Sequence, residues 1–224
     1  MNVGTSEIIE FYDCMLPAME RYHSAPNARL DKAKDTLKKI MRSGHTALDI
    51  GCGTGITSKH MAIFGAKVTA VDIASKLIEY AKKHSYHENI TYLTQDICEF
   101  TSGEKFDIIS LVDVIEHIDP IKLFKLISNL TGLNAHDDTL VYLNMPDFNF
   151  ARFMIENYPE KLQIIDEAYS IPYVLKLFSD CGFTPTYISI YGIDTGSQYN
   201  EYIFVKKESL NNHYRERLDK IYNH

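Results

Sequence analysis

Between Ala47 and Gly55 the chain runs from a short apolar strand into a turn in which Gly51, Gly53 and Gly55 alternate with Cys52 and Thr54. Glycine there permits φ > 0 and removes the Cβ that would keep a ligand off the backbone. An amphipathic segment, 56–64, follows at once, so unpaired N–H groups at a helix start face whatever the turn approaches. The spacing separates two cofactor classes. A dinucleotide fingerprint, G-x-G-x-x-G, needs a third glycine where Ile56 stands, and that glycine is what lets helix and strand pack around a pyrophosphate. The pattern here is G-x-G-x-G, with Asp49 inside the strand.

Further strands follow at regular intervals, each ending on an acid or opening into one. Residues 67–71 form a short β-branched run that stops at Asp72, about twenty residues past the glycine turn, the position from which a carboxylate accepts hydrogen bonds from a ribose diol. That role is shared by nicotinamide and methionine cofactors. Residues 90–93 make a third strand that ends near Asp96, and 106–111 a fourth that leads through Val112 into Asp113, Glu116 and His117.

The run from Leu48 to Gly55 resembles the first motif of class I S-adenosylmethionine-dependent methyltransferases, where it curls around the cofactor's amino-acid portion, and Asp49 belongs to the same stretch. Acids at 72 and 96 follow in the family's order. The resemblance implies that Asp96 accepts from the adenine amino group while the Ile97 N–H reaches the ring, and that Ile73 and Val112 complete the cofactor contacts. It also implies a Rossmann-like, doubly wound, seven-stranded sheet, mostly parallel with an antiparallel C-terminal hairpin.

Methyl transfer from a sulfonium needs chiefly an aligned nucleophile and a group to take its proton. His117 stands where the fourth strand opens, and an imidazole with an ordinary pKa near 6.5 accepts a proton at neutral pH. The segment 116–120 resembles the Glu-His motif of ubiquinone-biosynthesis O-methyltransferases; the alternative is a histidine that only orients a loop. If a helical turn begins at Asp113, then Asp113, Glu116 and His117 share one face, an arrangement similar to the metal-binding stretch of small-RNA and quinone methyltransferases. Asp113 is one methylene shorter than the glutamate of that pattern and no partnering histidine follows, so the expected site carries no metal.

Upstream, Asn27 to Leu30 resembles the segment in which quinone methyltransferases carry an arginine for the methionine carboxylate, a match that points to Arg29. Tyr12 and Tyr22 stand where N-terminal tyrosines of sugar N-methyltransferases close over the cofactor; the alternative is helix packing. Phe148, Phe150, Phe153, Tyr158 and Tyr169 are candidates to wall an acceptor pocket, and Asp147 and Asp166 to hold a hydroxyl or amine, unless they are ordinary core filler and caps.

With 224 residues the chain is long enough for one sizeable core. Its net charge of −7 argues against a polyanionic partner. Cys14, Cys52, Cys98 and Cys181 form no C-x-x-C pair, which suggests neither zinc knuckle nor disulfide framework. No apolar run reaches membrane length and the N-terminus lacks a secretion pattern, so the expected location is the cytoplasm. Residues 1–206 read as one domain, with 1–44 a helical cap over the cleft and 147–170 an acceptor-side insertion, followed by a polar tail or helix over 207–224. The expectation is S-adenosylmethionine-dependent methylation of a small molecule, at oxygen first and at the nitrogen of an amine or amino sugar second. A cofactor-binding module without catalysis is the alternative of another class.

Overall fold

In a computed structural model, residues 3–206 are described apart from residues 26, 194, 195 and 197; the tail expected over 207–224 lies outside them. The chain opens with helices α1 (Thr5–Cys14) and α2 (Leu16–Met19), a 3-10 turn (Glu20–His23) and α3 (Ala28–Ile40). There follow β1 (Thr46–Ile50), α4 (Ile56–Ile63), β2 (Lys67–Asp72), α5 (Ser75–His84), β3 (Ile90–Thr94) and β4 (Phe106–Val112). After a 3-10 turn (Ile115–His117) come α6 (Pro120–Leu133), β5 (Ala135–Pro146), α7 (Phe148–Asn157), a 3-10 turn (Pro159–Lys161), α8 (Ile171–Asp180), β6 (Phe183–Tyr191) and β7 (Tyr199–Lys206).

The strands form one seven-stranded sheet in the order β3-β2-β1-β4-β5-β7-β6. The first five pair in parallel, and β7 runs antiparallel to both its neighbours. Side chains alternate across the pleat, so Leu48, Ile50, Ile109 and Leu111 join a core with α6 and α8, whereas Ala47 and Ile108 join Leu37, Met61 and Tyr142 on the other face. Both faces of the central strands are therefore covered, as parallel sheets require. Chain direction across the sheet reverses between β1 and β4. Ligands of such sheets bind at that switch point, beyond the carboxyl ends of the strands.

Several segments differ from the sequence expectation for identifiable reasons. Within the helical cap, apolar residues keep helical spacing over 5–23, yet the helix breaks at Met15 because Pro17 lacks an N–H and its ring collides with a helical carbonyl four residues back. The insertion after β5 contains α7, and Asp147 caps it through Oδ1 on the Asn149 N–H at 2.9 Å. Asp13 of α1 reaches across to cap α5, accepting the Lys76 N–H at 2.9 Å, where that helix's own capping position is Ala74. Fully buried Glu201 on β7 is tied to α3, β5 and β6 by Lys32 Nζ (2.9 Å), Thr36 Oγ1 (2.8 Å), Tyr142 OH (3.1 Å) and Tyr187 OH (2.9 Å). A buried carboxylate needs that many partners to offset its lost hydration.

Candidate cofactor and acceptor cleft

At the switch point lies a cavity of about 220 Å³, roofed by α1, α2 and α3 and floored by the ends of β1, β2 and β4. Its floor is the glycine turn. Gly53 has φ +51 and an added Cβ would meet only Met19 Sδ at 3.9 Å, so this glycine presents bare backbone to the cavity. Its N–H donates to Asp72 Oδ2 at 2.8 Å, while Asp72 Oδ1 accepts from the Ala74 N–H at 2.9 Å. The turn after β1 is thereby locked to the end of β2. Asp72 borders the cavity, and burial raises its carboxyl above the usual range.

Gly55 does another job. It does not border the cavity: with φ +79 it caps α4, and an added Cβ would stand 2.5 Å from Tyr92 OH. Beneath the turn it packs against Tyr92 and Ser85. Gly51 does border the cavity and packs closely on Val114. Asp49 also borders it but is almost wholly buried; burial pushes its carboxyl up to about 7, against a 2.5 Å hydrogen bond from Ser58 Oγ.

Ile73, Asp96, Ile97 and Val112 line the cavity as well. Asp96 Oδ1 accepts the Cys98 N–H at 2.8 Å, a local turn that holds the carboxylate at the end of β3. Arg29 enters from α3 with Nε 3.0 Å from Asp113 Oδ2, its NH1 donating to Tyr199 OH at 3.2 Å and its guanidinium between the rings of Tyr22 and Tyr199. Burial opposes the Arg29 charge, but Asp113 beside it keeps the group firmly protonated. Asp113 Oδ1 is buried and has no hydrogen-bond partner among the described residues.

The helical turn considered at Asp113 does not form. Asp113 adopts φ +55 and the 3-10 turn starts only at Ile115, so Asp113 turns to Arg29 while Glu116 goes under the turn, 2% exposed. Among the described residues no three His, Cys, Asp or Glu side chains are placed to hold a metal.

His117 lines the cavity with its Nδ1 donating to the Ile165 carbonyl at 2.9 Å and 3.1 Å from Asp166 Oδ1. Burial disfavours its charge, yet the Asp166 contact and neighbouring Glu116 push its pKa up to about 9, well above the ordinary value expected from sequence. Tyr12 packs edge-on to the imidazole, centroids 6.4 Å apart, and its buried hydroxyl has no partner among the described residues. Of the acceptor-side aromatics, Tyr169 is buried and stacks on Tyr173, whereas Phe153 is half exposed. Sequence reading missed the pairing of Arg29 with Asp113 and that of His117 with Asp166. Each partner is a candidate on its own in the sequence, but nothing local signals contacts across such separations.

Residues 48–132 match a family model described as a methyltransferase domain. The sheet order, the glycine turn and the acids at 72 and 96 fall inside or beside that match. This stretch is a methyltransferase domain, set in the seven-stranded sheet of the class I S-adenosylmethionine-dependent methyltransferase fold. A ubiquinone biosynthesis O-methyltransferase of Coxiella burnetii is 40% identical over 134 residues, covering 55% of this chain and 56% of the relative. One from Glaesserella parasuis is 41% identical over 110 residues, 45% of each. The methyltransferase chain thus spans about half the length of the curated relatives it matches. Among solved structures, magnesium protoporphyrin IX methyltransferase from Synechocystis with bound S-adenosylhomocysteine superposes with a TM-score of 0.75 at 17% identity, covering 91% of this chain and 99% of that one. The N-methyltransferase NodS of Bradyrhizobium japonicum, with the same product bound, gives 0.72 at 15% identity, covering 89% and 98%. At such identities the likeness concerns the fold.

Proposed function

We propose that this methyltransferase moves a methyl group from S-adenosylmethionine to a hydroxyl oxygen of a small-molecule acceptor. The observation that carries the reading is that one cleft joins a zwitterion-matching pair, Arg29 and the unpartnered Oδ1 of Asp113, to a strongly basic imidazole, His117. The cofactor's amino-acid end needs a cation for its carboxylate and an acceptor for its ammonium, and bare backbone at Gly53 leaves room for both. In this reading Gly51, Gly53 and Asp49 shape the methionine subsite, Asp72 and Ile73 take the ribose, and Asp96, Ile97 and Val112 take the adenine. Tyr12 closes over them. The first 206 residues act as one domain, with 1–44 the cap and 147–170 the acceptor wall.

The bound cofactor supplies an activated methyl group on a positively charged sulfur. The acceptor oxygen attacks the methyl carbon, the C–S bond breaks with its electron pair left on sulfur, and the hydroxyl proton passes to Nε2 of the neutral form of His117, whose share grows as pH rises toward 9. A hydroxyl requires such a base more than an amine does, and this favours oxygen over the nitrogen of an amine or amino sugar. No step calls for a metal. The acidic net charge, and the lack among the described residues of any helix long and apolar enough to cross a membrane, are consistent with a small-molecule acceptor and a cytoplasmic setting, without nucleic-acid or membrane partners.

Calorimetric titration with S-adenosylhomocysteine and with NAD separates this reading from an oxidoreductase: binding of NAD alone would end it. Incubation with labelled cofactor and a panel of hydroxylated and amino metabolites separates it from a non-catalytic cofactor-binding module. Transfer to any member, lost in Gly53→Arg, is the expected result.

A further inference from the structure

Residues 163–167 form a strap laid against the 3-10 turn that carries His117. Asp166 Oδ2 accepts the Gln163 N–H at 2.6 Å, closing the strap on itself, and the Glu167 N–H donates to the Glu116 carbonyl at 2.9 Å, fastening it to the turn. Two acceptors from the strap, the Ile165 carbonyl and Asp166 Oδ1, converge on one ring nitrogen of His117. A nitrogen facing two acceptors must carry hydrogen. Glu116 Oε1 stands 4.0 Å from the other nitrogen, Nε2, beyond hydrogen-bond reach.

We propose that Asp166 is the positioning residue of this site: it keeps the proton of neutral His117 on Nδ1, so that the Nε2 lone pair is the one offered to the acceptor hydroxyl. The inference rests on the methyl-transfer reading for its purpose, but its geometry stands independently of it. Which nitrogen of an imidazole carries the proton is set by the bond the other one makes. When the acceptor proton arrives at Nε2, the resulting imidazolium keeps its Nδ1–H against a carboxylate, which stabilises the charge where it appears. The charged and titratable groups facing the ring are Asp166 from the strap, Glu116 from its own turn, Asp113 from the end of β4 and Tyr12 from α1. Of these carboxylates only that of Asp166 lies within hydrogen-bond reach of a ring nitrogen, whereas Glu116 is buried with neither oxygen hydrogen-bonded to any described residue.

The competing role is structural, with Asp166 serving only to close the strap through the Gln163 N–H. Nitrogen NMR of His117 across pH 5 to 10, on full-length protein saturated with S-adenosylhomocysteine, distinguishes the two. The wild type should show neutral His117 protonated on Nδ1 and a midpoint near 9. Asp166→Asn, which preserves the shape and a hydrogen-bonding oxygen, should lower that midpoint by more than a unit and mix the tautomers; Asp166→Glu should restore most of both. Unchanged tautomer and midpoint in Asp166→Asn, with a normal melting temperature, would overturn the proposal. If wild-type protein binds no S-adenosylhomocysteine, methyl transfer is the reading that fails, and the same titration on the free protein still decides the role of Asp166.

Discussion

Arg29 and Asp113 meet across the switch point of the sheet, Nε to Oδ2 at 3.0 Å, with side chains only 18% and 16% exposed. The contact joins the helical roof to the residue that follows β4, and Asp113 holds φ +55 to make it. Removing one member of a partly buried pair leaves a charge without a partner, a loss of roughly 3 kcal/mol when burial is complete and less at this exposure. Asp113→Ala and Arg29→Ala should each lower urea stability by about 1–3 kcal/mol, and the double variant by less than their sum. Strict additivity would show that the two do not interact.

Asp72 fixes the glycine turn and borders the cavity. Asp72→Ala is expected to weaken S-adenosylhomocysteine binding by about 1–3 kcal/mol, as for the loss of a buried acceptor. An unchanged titration isotherm would make it a strand end and nothing more.

The two glycines at 53 and 55 should separate fold from ligand. Gly55→Ala forces a Cβ to 2.5 Å from Tyr92 OH and should depress the melting temperature sharply. Gly53→Ala meets open space and costs about 1–2 kcal/mol for its left-handed backbone, but it narrows the ligand's approach. Cofactor affinity should therefore fall more than stability does at 53, and the reverse should hold at 55. Equal effects at both positions would contradict the division.

His117→Ala should reduce turnover by about 10²–10⁴, the usual contribution of a placed proton acceptor, with S-adenosylhomocysteine affinity nearly unchanged. Full activity in this variant would exclude the imidazole as base.

Stability should also depend on His117. Its pKa is raised in the fold, to about 9 from an ordinary 6.5, so it contributes stability fully below pH 6.5 and loses that contribution as pH climbs through 9. Asp49 and Glu116, each pushed up to about 7 by burial, act in the same direction at lower pH, since the folded state holds their protons more tightly than the unfolded chain. Melting temperatures should fall from pH 6.5 to 9, and His117→Gln should flatten that limb. An equal slope in the variant would assign the limb to other groups.

The strand–turn–helix units were legible because their signals are local: a β-branched run in 67–71 and glycines at the turn. What escaped depends on contacts between distant segments. Asp166 was noticed as a candidate for an acceptor hydroxyl, yet its Oδ1 lies against a ring 49 residues earlier in the chain. The basicity of His117 follows from that contact and from no pattern around residue 117. The closeness of Gly55 to Tyr92 has no signal in the motif, which records backbone shape and not which neighbour packs on it. The early break of α1 was present in Pro17, whose effect was outweighed by apolar spacing that continued past it.

Asp13 gives the roof of the cleft a second duty. Helix α5 begins directly after Asp72, and the group that completes its first turn comes from α1 instead of from its own chain neighbours. Loss of the Asp13 carboxylate would leave the helix start beside Asp72 without that cap, worth about 1 kcal/mol. The floor of the cleft thus borrows part of its stability from the roof.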